Sequence, residues 1–162
     1  MKIKMLSLGL MLCMFFPTMS FANKGHLMLD KVRLDINIGR GDSACDDLEY
    51  IDIGKDVPDM RDFQCYDRTG KYNVTLRGSA DTTLTLFGSF SYGSERGFIV
   101  IRKRDDRQVW ILHLEDFPSG KWSSHEASED SGAFDVFYSA APIFEQNVSS
   151  IKWGQWWQGD LK

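Results

Sequence analysis

The chain has 162 residues, 43% of them hydrophobic and 26% charged, with a formal net charge of -4. These proportions lie near the globular average and exclude a chain too polar to bury a core. They also exclude a polytopic membrane protein, and a nucleic-acid binder, which needs a basic face to neutralise phosphates.

Residues 1–22 read as an export signal. Lys2 and Lys4 form a basic head, Met5 to Phe16 is uncharged, Pro17 breaks the run, and Ser20-Phe21-Ala22 sets small residues three and one positions before a cut. The apolar run is too short to span a bilayer, which takes about 20 residues. The expected mature chain starts at Asn23, is exported to the periplasm or the exterior, and carries no membrane segment. It keeps two cysteines, Cys45 and Cys65. In an exported protein an isolated pair is most simply one disulfide, worth roughly 3 kcal/mol for a loop of about 20 residues.

Along the mature chain the hydrophobic period is two. Val32, Leu34, Ile36 and Ile38 alternate with polar residues and predict a strand, and Gly39 to Ser43 predicts a turn that carries Arg40-Gly41-Asp42. That tripeptide matches an integrin-recognition sequence, and glycine-rich turns favour the same residue types. Further strands are expected at Leu48–Ile53, Phe63–Tyr66, Tyr72–Leu76, Thr82–Phe87, Phe98–Ile101, Val109–Leu114, Phe134–Tyr138 and Val148–Trp157. Phe98–Ile101 and Val109–Leu114 are apolar on both sides and read as central strands, joined as a hairpin by a turn at Asp105-Asp106. Residues 142–147 have room for one helical turn after Pro142. No segment holds a 3.6-residue period for three turns. The expected fold is a single all-β domain over residues 23–162, an antiparallel sandwich or barrel of about eight to ten strands.

The motifs of catalysis are thin. Ser123-Ser124-His125-Glu126 sets a nucleophile, a base and an acid side by side, but adjacent residues in an extended chain point to opposite faces, and the stretch reads as a polar loop. His113 reads as a packed strand residue, and Glu115-Asp116 as a charged strand end rather than a glycosidase pair. Asn73-Val74-Thr75 and Asn147-Val148-Ser149 are glycosylation sequons that matter only in a eukaryote.

Two features point to binding. Nine acids fall between Asp42 and Asp67 against only Lys55 and Arg61. Asp52-x-Gly54-x-Asp56-x-x-Asp59 is an oxygen-rich spacing of the kind calcium uses, although it matches no EF-hand loop; a solvated acidic face that steers a basic partner is the expectation, and no cofactor is expected. The C-terminal Trp153-Gly154-Gln155-Trp156-Trp157 concentrates three of the five tryptophans. In a strand Trp153 and Trp157 share one face and Trp156 takes the other. An exposed indole is a rigid apolar plate with one donor, suited to a protein hot spot or to a sugar ring. The sequence therefore leads to an exported, non-enzymatic binding protein. Its expected partner is another protein, as for an inhibitor or immunity-type factor, met through Asp46, Asp47, Glu49, Asp52, Trp153, Trp156 and Trp157. The alternatives are a carbohydrate or peptidoglycan module using the C-terminal tryptophans, with Trp122, and a small hydrolase with His113 or His125 as base.

Overall fold

Leu27 and Leu29 point inward from the first strand while His26 and Met28 lie on its other side, and this alternation organises the whole chain. A computed structural model describes residues 25–34, 41–43, 49–63, 66 and 70–154, with backbone alone for 30–34, 41–43 and 49. Its ten strands are β1 (His26–Leu34), β2 (Gly41–Ser43), β3 (Glu49–Asp52), β4 (Lys71–Leu76), β5 (Thr83–Phe87), β6 (Phe98–Lys103), β7 (Val109–Ile111), β8 (Trp122–His125), β9 (Phe134–Ser139) and β10 (Ser150–Trp153). They form two five-stranded antiparallel sheets. The first runs β2-β1-β4-β7, with β3 also against β1; the second runs β10-β5-β6-β9-β8. The all-β expectation holds, and the two separate sheets make a sandwich rather than a barrel.

The core lies between the sheets. Leu27, Leu29, Ile51, Val74, Leu76 and Val109 of the first sheet meet Leu84, Leu86, Ile99, Ile101, Val136 and Ile151 of the second, all fully buried. Burying each such side chain contributes about 1.5–3 kcal/mol before entropy is counted. A smaller apolar cluster sits on the outer side of the second sheet, where Phe87, Phe98, Val100 and Phe137 pack together. Phe98 and Phe137 stack there with centroids 5.8 Å apart.

Several expectations need correction. β1 begins six residues earlier than the Val32 start, because Leu27 and Leu29 already alternate with His26 and Met28. Phe63–Tyr66 does not read as a strand at its described ends. The chain makes a 3-10 turn over Met60–Asp62, opened by Asp59, whose side chain accepts from Arg61 N, and Tyr66 is a turn residue. The Asp105-Asp106 turn joins strands of different sheets, so β6 and β7 are no hairpin. Asp105 instead ties the turn to the chain before β9, accepting from Arg107 N at 3.0 Å and Ala133 N at 2.9 Å. β6 is central, as expected, but β7 is a three-residue edge strand and Trp110 is 42% exposed. The polar stretch at Ser123–His125 is the edge strand β8, not a loop. The single helical turn after Pro142 is present as a 3-10 turn over Phe144–Gln146. The signal segment, Cys45 and Cys65 lie outside the described residues.

The link that matters most for function follows β3. Val57 bridges Ile151, with Val57 N to Ile151 O and Ile151 N to Val57 O both at 2.8 Å, and Met60 N donates to Ser149 O at 2.9 Å. The acidic segment thus leaves the first sheet and is fastened along β10 of the second.

Candidate functional site

A groove forms where the end of β3, the start of β5 and the end of β10 meet. β3 stops at Asp52, and Gly54, at φ +80, supplies the left-handed turn; no atom lies within 4 Å of where its Cβ would stand, so backbone conformation rather than space selects glycine. Lys55 N donates to Asp52 O at 3.0 Å and closes the turn. Asp56 then reaches across and accepts from Trp153 N at 2.8 Å. β10 ends at Trp153, and the N–H of the following Gly154 donates to Thr83 O at 2.8 Å. On the remaining side Asp81 adopts φ 65 and accepts from Arg102 Nη2 at 2.6 Å.

The resulting hollow is open, about 500 Å³, and lined by Ile53, Gly54, Asp81, Thr82, Thr83, Trp153 and Gly154. Ile53 is 47% exposed, unusual for an aliphatic side chain beside a core. Trp153 is half-buried, packs against the core, and its indole N–H is buried without an acceptor. The carboxylate of Asp81 lines these apolar groups and that of Asp56 lies beside them at the Trp153 N–H, with Arg102 paired to Asp81. This combination suits a long basic side chain, whose methylene stem lies on apolar surface while its charge meets a carboxylate.

Of the residues singled out in the sequence, Trp153 lines this groove, while Asp52 stands opposite His26 on the outer face of the first sheet and does not join it. Glu49 is placed by its backbone on β3 opposite Leu29. Asp46, Asp47, Trp156 and Trp157 lie outside the described residues. The spacing Asp52-x-Gly54-x-Asp56-x-x-Asp59 does not converge on one point. Asp56 turns to Trp153, and Asp59 is held by Arg61, whose Nε donates to Oδ1 at 2.9 Å and lowers the Asp59 pKa to about 2. Among the described residues no group of three or more His, Cys, Asp or Glu is placed to hold a metal ion.

The catalytic candidates also have positions. Ser123 and His125 are two apart on β8, so they share a face, and Ser123 Oγ lies 3.2 Å from His125 Nε2. Both aromatic neighbours of the imidazole are phenylalanines: Phe134 stacks on it at 4.8 Å and Phe117 meets it edge-on at 5.2 Å. Ser124 points the other way, to Asp135 Oδ1 at 2.7 Å, and Glu126 pairs with Arg104. The acid therefore does not join the serine and imidazole. His113 lies beyond the end of β7, half-buried. Glu115 turns to the Phe144–Gln146 turn, accepting from Glu145 N at 3.2 Å. Gly41 and Asp42 of the integrin-like tripeptide stand in β2 opposite Leu34 and Arg33, in a strand rather than the expected turn, and Arg40 lies outside the described residues. Asn73 is 7% exposed within β4, which leaves no room for a glycan on that side chain.

Sequence reasoning missed the outer face of the first sheet. Tyr50, Met28, Thr75 and Trp110 stand opposite one another across β3, β1, β4 and β7. Tyr50 is 59% exposed. The signal for Trp110 was available: Val109 and Ile111 flank it, and a one-sided strand would turn it to solvent. Comparison of the chain with family models, with curated proteins and with solved structures finds no match.

Proposed function

We propose that the chain is an exported, non-enzymatic binding protein whose partner is another protein, in the manner of an inhibitor or immunity-type factor. The observation that carries this reading is the meeting of the acidic segment and the C-terminal aromatic strand at the Asp56–Trp153 hydrogen bond. Two features far apart in sequence become one patch, with exposed Ile53 and half-buried Trp153 beside the carboxylates of Asp56 and Asp81. Charge of this kind accelerates encounter with a basic protein, and a desolvated apolar anchor slows its release. The carbohydrate alternative based on the C-terminal tryptophans draws less support, since Trp153 is one half-buried ring beside carboxylates and Trp156 and Trp157 lie outside the described residues, so no row of exposed plates is seen there. The hydrolase alternative draws less support, since among the described residues the neighbouring carboxylates are engaged away from the Ser123–His125 pair, Asp135 with Ser124 and Glu126 with Arg104.

The test is affinity capture with the mature chain, followed by surface-based kinetics against the purified captured protein at two salt concentrations. Asp52→Asn combined with Asp46→Asn and Asp47→Asn should slow association, mainly at low salt, since exposed charges are screened beyond about 8 Å at physiological ionic strength. Ile53→Ala and Trp153→Ala should speed dissociation, at a cost of about 2 kcal/mol for a hot-spot anchor. Unchanged rates in both sets would place the binding site elsewhere.

A further inference from the structure

We propose that the outer face of the first sheet is a carbohydrate-binding platform for a neutral, β-linked pyranose chain. This site is separate from the groove and independent of the protein partner proposed for it.

Tyr50 and Trp110 end one cross-strand row, three strand spacings apart, which sets them about 14 Å from each other. Both are large, rigid and open to solvent, at 59% and 42% exposed. The His26 ring, 5.6 Å away and tilted by 57°, steadies Tyr50. Two residues along each strand comes a second row of different chemistry. His26 stands opposite Asp52, Arg77 N donates to His26 O at 2.9 Å, and Arg77 Nε donates to Gln108 Oε1 at 2.7 Å. That row is a carboxylate, an imidazole, a guanidinium and an amide, all planar, with both donors and acceptors.

An aromatic lane beside a lane of planar hydrogen-bonding groups matches one ligand chemistry closely. A pyranose ring has an apolar C–H face, which stacks on an aromatic plate, and hydroxyls at its edge, which bond to planar polar side chains. A chain of such rings is a flat ribbon long enough to reach from Tyr50 to Trp110. Protein hot spots have another form: a central, packed and fully desolvated pocket. Here the aromatic plates stand at the two ends, with Met28 and the small, buried Thr75 between them. Asp52 and Arg77 carry opposite charges on the polar row, which favours a neutral ribbon over a polyanion.

The experiment is sedimentation of the mature chain with three insoluble, neutral β-1,4-linked glycans: cellulose, chitin and linear mannan. At least one should retain the wild-type chain saturably. Tyr50→Ala and Trp110→Ala should each weaken that retention about tenfold or more, while Tyr50→Phe keeps it. Gln108→Ala should weaken it about threefold by removing one orienting group. Tyr50→Ala removes a mostly exposed ring and should keep the unfolding midpoint nearly unchanged, whereas Trp110 is more than half covered, so each variant's unfolding curve is measured alongside and retention is compared at a temperature where both are folded. Ile53→Ala, in the groove, should leave glycan retention unchanged. Failure of all three glycans to retain the wild-type chain overturns the proposal. So does retention that is equal in wild type, Tyr50→Ala and Trp110→Ala, and so does loss of a captured protein, rather than of a glycan, in those two variants.

Discussion

The Asp56 carboxylate accepts a hydrogen bond from the Trp153 backbone at 2.8 Å, joining positions 97 residues apart in the chain. Neither residue alone would announce this. The bond forms because Val57 and Ile151 exchange two backbone hydrogen bonds beside it, which puts Asp56 level with the last residue of an edge strand whose N–H needs an acceptor. Asp56→Ala should lower unfolding free energy by about 1 kcal/mol, and Asp56→Asn, which keeps the acceptor, should lose less. Urea unfolding with an unchanged slope measures this. Equal losses in both variants would mean that charge, not the hydrogen bond, is what counts.

Ile143 offers a change in the opposite direction. It is a β-branched residue at φ 53, ahead of the Phe144–Gln146 turn, and 56% exposed. A left-handed conformation costs such a residue about 1–3 kcal/mol. Its exposed side chain returns little burial energy. Ile143→Gly removes the strain and gives back roughly 0.4–1 kcal/mol through the freer unfolded chain. The net expectation is a gain of about 1 kcal/mol, read as a higher denaturant midpoint. A lower midpoint would show that the Ile143 side chain contributes more packing than its exposure implies.

Legibility from sequence followed the strength of the alternation. β4 and β9 were readable because Tyr72, Val74 and Leu76, and then Phe134, Val136 and Tyr138, put every second residue into the core between the sheets, and β6 was readable as a run apolar on both sides because Ile99 and Ile101 face that core while Phe98 and Val100 face the outer cluster. β8 was not readable, because an edge strand such as Trp122–His125 can carry serines on both faces at little cost. Val109–Ile111 misled for the converse reason. Three apolar residues in a row look central, yet the middle one, Trp110, covers an open face. The sheet to which each strand belongs was also hidden. A tight acidic turn after β6 looks like a hairpin in sequence, but β6 is already paired by β5 and β9, and the turn is tied down by Asp105 to Ala133 and by Asp106 to Ala80 while β7 pairs with β4 of the other sheet. Of the site, composition pointed to the acidic segment and Trp153. Their meeting depended on long-range pairing that no local pattern encodes.

Tyr138 sets an alkaline limit. Burial raises its pKa to about 12, and the nearby charge of Glu115 pushes the same way. The folded value lies above the unfolded one of about 10. The phenol is neutral in both states below pH 10, so no pH dependence arises there. Above it the unfolded chain ionises first, and stability falls through the window from about pH 10 to 12. Tyr138→Phe should remove that part of the decline. Parallel stability–pH curves for the variant and the wild type across that window would contradict the assignment.

Processing and thiols give a covalent check. Ser20-Phe21-Ala22 after the apolar run predicts an exported form beginning at Asn23, so intact mass should lack residues 1–22. That form holds only Cys45 and Cys65, and under denaturing, non-reducing conditions it should show no free thiol. Replacing both by Ala should cost about 2–5 kcal/mol. Two titratable thiols per chain would refute the bond, and a retained leader would refute the export reading.

The Ser123–His125 pair tests the non-enzymatic proposal. A serine nucleophile needs a base within reach, a third group to orient that base, and donors for the developing oxyanion. Ser123 Oγ has the first, at 3.2 Å from His125 Nε2. The imidazole, however, is held by ring contacts to Phe134 and Phe117, and the adjacent carboxylates are committed elsewhere, Asp135 to Ser124 and Glu126 to Arg104. The expected role is packing. An organophosphonate that labels activated serines should leave Ser123 unmodified, as read by intact mass. His125→Ala should lower stability by about 1–3 kcal/mol through lost aromatic contact and burial, and Ser123→Ala by less. Stoichiometric labelling at Ser123 that disappears in His125→Ala would instead establish an activated nucleophile, and the proposed function would have to give way to hydrolysis.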